Sequence, residues 1–210
     1  METKSKISRK KNHKKTEFQV ETRELLLRAG LETLTEKGFA ATGIDEMLKR
    51  AGVPKGSFYY YFKSKEAFGS EIIAKYDDYF TSKMERYFSN IELSPLARVQ
   101  AFIENTKAGM EKHGYNRGCL IGRMGQEINA LPVGFRLQLQ QVFDNWQERF
   151  ARVLLEAQQN GEISSGLDCQ TLSSFFWIGW EGAILTASLE KSQRALEIFS
   201  TAFFAGLKPS

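Results

Sequence analysis

The apolar residues of this chain recur at helical rather than alternating spacing, and no alternating apolar and polar run is long enough for a sheet. Over residues 22–37, Leu27, Leu31 and Leu34 fall on one face of a helix that stops at Gly38. Thr42, Gly43, Ile44 and Asp45 then have a capping-box pattern, with the threonine hydroxyl accepting the Asp45 amide and an acid in the first turn. The pattern predicts a short helix with Ile44, Met47 and Leu48 inward, closed by Gly52 at positive φ. Pro54 suits the first turn of the next helix, over residues 54–62. Ser64 is an N-cap for a long helix to about residue 90, with Phe68, Ile72, Tyr76 and Phe80 on its inner face. Pro95 opens a helix that ends near His113 and Gly114. A glycine-punctuated stretch over 117–131 predicts a shorter one. Residues 132–160 predict a long helix closed by Gly161, residues 168–191 a strongly apolar helix, and residues 193–205 a final amphipathic one. The expected architecture is all-α, a small N-terminal module followed by a larger helical body.

Composition narrows the class. With 210 residues, 42% hydrophobic and 26% charged, the chain can bury a core without a metal or cross-link, and it is neither collagen-like nor disordered. Its longest apolar run, residues 175–180, is far short of the roughly 20 residues that span a bilayer, and the N-terminus is basic and polar rather than signal-like. A cytoplasmic protein without membrane partners is expected. Cys119 and Cys169 match no metal or redox spacing, and neither His13 nor His113 has a second ligand four residues on, so neither a metal nor a cofactor is expected.

Charge is distributed unevenly. Residues 1–63 hold 14 Lys and Arg against 8 Asp and Glu, whereas the remainder holds 15 against 17. Seven bases against one acid fall in the first 15 residues, which reads as a basic flexible arm over residues 1–18, able to contact phosphates if a DNA-reading unit follows.

Such a unit is present in the pattern. In a helix-turn-helix the first helix crosses the DNA backbone and the second places its N-terminal residues at base edges in the major groove. Residues 42–62 have that layout. Phe58 and Phe62, four apart, anchor the second helix and leave Lys55, Gly56, Ser57, Tyr59 and Tyr60 pointing elsewhere. Gly56 allows close backbone approach, Lys55 reaches guanine acceptors or phosphate, and the tyrosines offer hydroxyls and ring faces. Lys63 and Lys65 add charge at the next helix start. Tyr61 reads as a core residue, since one short helix cannot bury its whole circumference and the other two tyrosines remain for solvent.

The run Ala51-Gly-Val-Pro-Lys-Gly-Ser-Phe-Tyr-Tyr-Tyr-Phe-Lys-Ser-Lys65 resembles the signature of TetR-type transcriptional regulators. The resemblance implies an N-terminal three-helix DNA-binding module over residues 19–66 and a six-helix ligand-binding and dimerisation body over residues 67–210. It implies a homodimer on double-stranded operator DNA, a repressor released by a small-molecule inducer. By position, Thr42 would meet phosphate, Lys55, Gly56, Ser57 and Tyr60 would face bases, and Tyr59, Tyr61 and Lys65 would hold the DNA backbone. Tyr61 can satisfy both readings with its ring buried and its hydroxyl outward.

The body has its own likeness. Arg117-Gly-Cys-Leu-Ile-Gly-Arg-Met-Gly-Gln-Glu127 and Trp177-Ile-Gly-Trp-Glu-Gly-Ala-Ile-Leu185 resemble AcuR-type acrylate-responsive regulators, and less closely the electrophile-sensing NemR-type regulators. The likeness implies acrylate or a related unsaturated or electrophilic inducer. Cys119, in the first turn of its helix beside Arg117, is favoured as thiolate by the helix dipole and the cation, and a thiolate adds to activated double bonds. The alternatives are an inert buried cysteine and a redox or electrophile trigger at Cys119. Glu181 on an apolar helix needs a partner or a proton, and Arg123 and Gln126 are its candidates. Arg123 is equally a candidate for a ligand carboxylate. Trp146, Trp177 and Trp180 line either a pocket or a dimer interface. An enzyme using Cys119 as nucleophile lacks a positioned base, because His113 is cut off by a glycine. A non-enzymatic regulator is expected.

Overall fold

The computed structural model describes the backbone of residues 2–207 and the side chains of residues 19–207, and every regular element among them is helical. In chain order they are α1 (Glu2–Lys37), α2 (Ile44–Ala51), a 3-10 turn (Lys55–Ser57) leading into α3 (Phe58–Tyr61), α4 (Lys65–Phe88), α5 (Pro95–Lys112) and α6 (Leu120–Gln126). A second 3-10 turn (Ile128–Ala130) precedes α7 (Val133–Gln159), α8 (Cys169–Glu190) and α9 (Arg194–Gly206).

Two differences from the sequence pattern have local causes. Helix α1 runs back to Glu2, across the segment read as a basic flexible arm. No Gly or Pro precedes Gly30, and Lys, Arg and Glu are good helix formers. The arm's side chains lie outside the described residues. The helix expected over residues 54–62 is instead a 3-10 turn followed by one α turn, with Pro54 still extended at ψ 144° and Gly56 in the opening turn.

The chain divides into two compact units, with the boundary inside α4 between Ile72 and Ile73. It falls beyond residue 66 because Phe68 and Ile72 pack into the N-terminal unit. A Cβ on Gly30 of α1 would lie 2.4 Å from the Phe68 ring, so only glycine permits this approach of α1 to α4. Phe58, Phe62 and Phe68 pack edge-to-face or tilted at 4.6–5.4 Å, with Leu26, Leu34, Met47 and Leu48 completing the core. Leu27 and Leu34 are buried as expected, while Leu31 is half-buried. Arg50 fastens α2 to α1 by donating to both oxygens of Glu36 at 2.7 and 2.9 Å.

The C-terminal unit is built on the packing of α7 with α5, α6 and α8, and of α8 with α9. Trp146 is fully buried, its ring 4.3 Å from Phe80 and 5.2 Å from Trp177, and its indole N–H donates to Asp77 Oδ1 at 2.8 Å. Phe150 stacks on Phe176 at 4.2 Å. Arg98 donates to the carbonyls of Phe88, Asn90 and Leu93 and to the Glu156 carboxylate, satisfying groups left open beyond the end of α4. Asp168 caps α8 by accepting the Gln170 and Thr171 amides.

Candidate functional site

The N-terminal unit displays α3. Burial of Phe58 and Phe62, 0% and 2% exposed, turns Tyr59 and Tyr60 outward at 68% and 67%. Lys55 is exposed and pairs with Asp45 at 2.7 Å. Both partners are largely in water, where such a pair is worth at most about 1 kcal/mol and yields readily to another anion. No atom lies within 4 Å of where a Cβ on Gly56 would sit, so nothing inside the chain requires glycine there. Ser57 is half-buried. Tyr61 is half-buried too, edge-on to Tyr60 at 4.9 Å, and the Tyr60 hydroxyl accepts from Gln19 Nε2 at 2.6 Å.

Two sequence-predicted contacts face inward. Thr42 is 1% exposed, and its hydroxyl donates to the Gly38 carbonyl at 2.6 Å instead of accepting the Asp45 amide. The capping box is therefore not formed, and Gly43 is the N-cap of α2. The carbonyl just past the end of α1 needs a donor, and the buried hydroxyl is the one within reach. Lys65 donates to the Phe39 carbonyl at 2.8 Å and lies 4.4 Å over the Phe39 ring.

The C-terminal unit holds a partly open cavity of about 50 Å³ between α6 and α8, lined by Gly118, Cys119, Arg123, Gln126, Glu181, Ile184, Leu185 and Ser188. Two glycines let side chains of α8 approach its floor closely. A Cβ on Gly122 would stand 1.8 Å from Glu181 Oε2, and one on Gly118 would stand 2.8 Å from Ile184. Glycine spacing in the quoted motif was the signal for this helix contact. Along the chain alone the same glycines mark only helix punctuation.

Cys119 is the N-cap of α6, its Sγ accepting the Gly122 amide at 3.5 Å. The thiol also interacts by hydrogen bonding with Tyr76 and Glu181. Burial, and next the Glu181 charge, push the thiol well above its ordinary pKa. The thiolate expected from the helix dipole and Arg117 is thus overturned, because desolvation outweighs the amide that favours charge. Tyr76 is pushed well above its ordinary value, first by burial and then by Cys119 and Glu181. Burial raises Glu181 to about 7, opposed by its hydrogen bond with Cys119, and its Oε1 is enclosed without a partner.

Of the residues expected to sense a ligand, Cys119, Arg123, Gln126 and Glu181 meet at this cavity, while Trp146, Trp177 and Trp180 do not line it. All three tryptophans are core, at most 2% exposed, although the indole N–H groups of Trp177 and Trp180 lack acceptors. Arg123 forms no ion pair with Glu181, nor with any other carboxylate among the described residues. Tyr76, read as a plain core residue, is part of the buried cluster. Cys169 begins α8, nearly buried, with its thiol raised by burial and the adjacent Asp168. No described helix is long and apolar enough to cross a membrane.

Comparison with known proteins agrees with both units. Residues 26–72 match the model described as bacterial regulatory proteins, tetR family, and residues 95–203 match the tetracyclin repressor-like C-terminal domain. The transcriptional regulator AcuR of Cereibacter sphaeroides is 49% identical over 178 residues, 85% of this chain and 81% of that protein. The HTH-type transcriptional repressor NemR of Escherichia coli is 30% identical over 184 residues, 84% of this chain and 89% of that one. The crystal structure of a regulatory protein TetR from Rhodobacter sphaeroides superimposes with a TM-score of 0.86 at 48% identity, covering 88% of this chain and 97% of the other.

Proposed function

The chain belongs to the TetR family of bacterial transcriptional regulators, and we propose that it is a repressor released from its operator by a small unsaturated carboxylate such as acrylate. The observation that supports DNA reading most is the outward turn of Tyr59, Tyr60 and Lys55 on a helix pinned by Phe58 and Phe62. Large aromatics at about two-thirds exposure are not placed by the fold's own needs, and they suit phosphate hydroxyl contacts and thymine methyls. Gly56, free of internal constraint, lets the backbone approach a base edge. In this reading Ser57 and Tyr61 flank the contact, with the Tyr61 hydroxyl outward, while Thr42 and Lys65 act at second hand by holding the turn from which α2 and α3 start.

Dimerisation uses α8 and α9. Phe175, Ile178, Leu185 and Leu189 of α8 are 42–76% exposed at successive spacings of three, seven and four, and Ile198 of α9 is 57% exposed. An apolar stripe with coiled-coil spacing pairs with a second copy of itself. Leu185 belongs both to this stripe and to the cavity wall, so a ligand there bears on the dimer contact. Tyr76 lies on α4, which also supplies Phe68 to the N-terminal core, so the same helix serves both units. The ligand selects the conformation in which two recognition helices no longer match major grooves roughly 34 to 36 Å apart. About 5.5 kcal/mol of differential affinity moves such an equilibrium from 1:99 to 99:1.

A second reading is covalent sensing, supported by the position of Cys119 in the cavity beside a carboxyl able to take its proton. Sulfur then bonds the terminal carbon of the activated alkene, and the thiol proton passes through Glu181 to the carbon next to the carboxylate. The test is a gel shift on an operator selected from randomised DNA. Acrylate should release wild-type protein, and Tyr60→Ala or Lys55→Ala should weaken binding without loss of the dimer. Unchanged affinity in both variants would refute the docking. Release by saturated propionate, or by acrylate from Cys119→Ser, refutes the covalent reading alone.

A further inference from the structure

The cavity holds two opposite charges that do not neutralise each other. Arg123 has no anionic partner among the described residues, and Glu181 Oε1 has no hydrogen bond at all. The Glu181 carboxyl occupies the room that a side chain at position 122 would take, which glycine leaves free. The charged or titratable groups that share its surroundings are Tyr76 from α4, Cys119 at the α6 N-cap and Arg123 from α6. Gln126 and Ser188 complete the polar lining, and Ile184 and Leu185 form an apolar wall. A water-sized probe needs about 10–15 Å³, so a volume of about 50 Å³ admits a ligand of a few heavy atoms.

Resting on the effector reading above, we infer that the ligand binds as a monocarboxylate anion on Arg123 and that Glu181 takes up one proton from solvent as it binds. A guanidinium offers the paired donors that a carboxylate accepts. One cation cannot compensate two carboxylates held side by side against an apolar wall, and like charges disfavour joint ionisation. The carboxyl that yields is Glu181, since its enclosed position already penalises charge and burial has raised it to about 7. Once protonated it also supplies an O–H donor to the ligand, where the ionised form could only repel it. The thiol of Cys119 and the phenol of Tyr76 stay neutral throughout, both being held well above their ordinary values by burial.

The experiment is calorimetric titration of the full-length protein with sodium propionate, which cannot add to a thiol, and with sodium acrylate. Each is run from about pH 6 to 9 and, near pH 8, in buffers of different ionisation enthalpy. Affinity should fall about tenfold per pH unit above the Glu181 value and level off below it, with uptake approaching one proton near pH 8. In Glu181→Gln the slope and the proton uptake should vanish, with affinity at high pH at or above wild type. Arg123→Gln should lose binding at every pH. A flat wild-type profile without proton uptake, or an equal slope in Glu181→Gln, overturns the inference while leaving the effector reading intact. If neither acid binds at any pH, both fall. Should Glu181→Gln fail to fold, the buffer series on wild-type protein decides alone.

Discussion

Replacing Glu181 by Gln should stabilise the protein above neutral pH, although the residue lies in the site. In the folded chain its carboxyl rises from 4.5 to about 7 through burial, opposed by the hydrogen bond with Cys119. Between those two values the folded state holds a proton that the unfolded state has released. Stability is therefore fully retained below about pH 4.5, declines as pH rises, and levels off above about pH 7. At about 1.4 kcal/mol per pH unit the loss is about 3 kcal/mol. Glutamine keeps the shape and cannot ionise. The variant should match wild type near pH 5 and exceed it by about 3 kcal/mol at pH 8, or about 6–12 °C in melting temperature for a chain of this length. Differential scanning calorimetry at fixed protein concentration, which holds the dimer equilibrium constant, reads this directly. A difference that does not change with pH, or a variant less stable than wild type at pH 8, refutes the reasoning.

Gly122→Ala should cost about 1–3 kcal/mol because the new Cβ meets the Glu181 carboxyl at 1.8 Å, and Glu181→Ala in the same chain should recover most of it; additive losses in a double-mutant cycle by urea denaturation would contradict the contact. Phe58→Ala should cost about 3–5 kcal/mol and abolish DNA binding through loss of the core, whereas Tyr60→Ala should stay within about 0.5 kcal/mol of wild type in calorimetry yet bind DNA weakly. Lysine at both Ile178 and Leu189 should give monomers in sedimentation at micromolar concentration, and an intact dimer would move the interface off α8.

Helix order, caps and turns were legible in the sequence because they depend on neighbouring residues. Gly52 closes α2 at φ 66°, Ser64 accepts the Ala67 amide, and Asp168 caps α8. The exposed tyrosines were legible from the i, i+4 spacing of Phe58 and Phe62. What failed depended on distant groups. Thr42 has the right neighbours for a capping box, but a carbonyl from the end of α1 takes its hydroxyl. Cys119 has a helix N-terminus and an arginine beside it in sequence, yet its pKa is set first by burial that local pattern does not report and then by Glu181, far along the chain. The tryptophans were ambiguous for the same reason. Their spacing marks an apolar helix, and only packing against Phe80 and Phe150 assigns Trp146 and Trp177 to the core.

The central claim is that reading DNA and sensing the carboxylate reside in separate side-chain sets, and fluorescence anisotropy of labelled operator DNA titrated with protein and then acrylate measures both. Tyr60→Ala should fail to bind DNA while still binding acrylate by calorimetry, and Arg123→Gln should hold DNA like wild type and stay on it when acrylate is added. Release of Arg123→Gln at the same acrylate concentration as wild type would contradict the account.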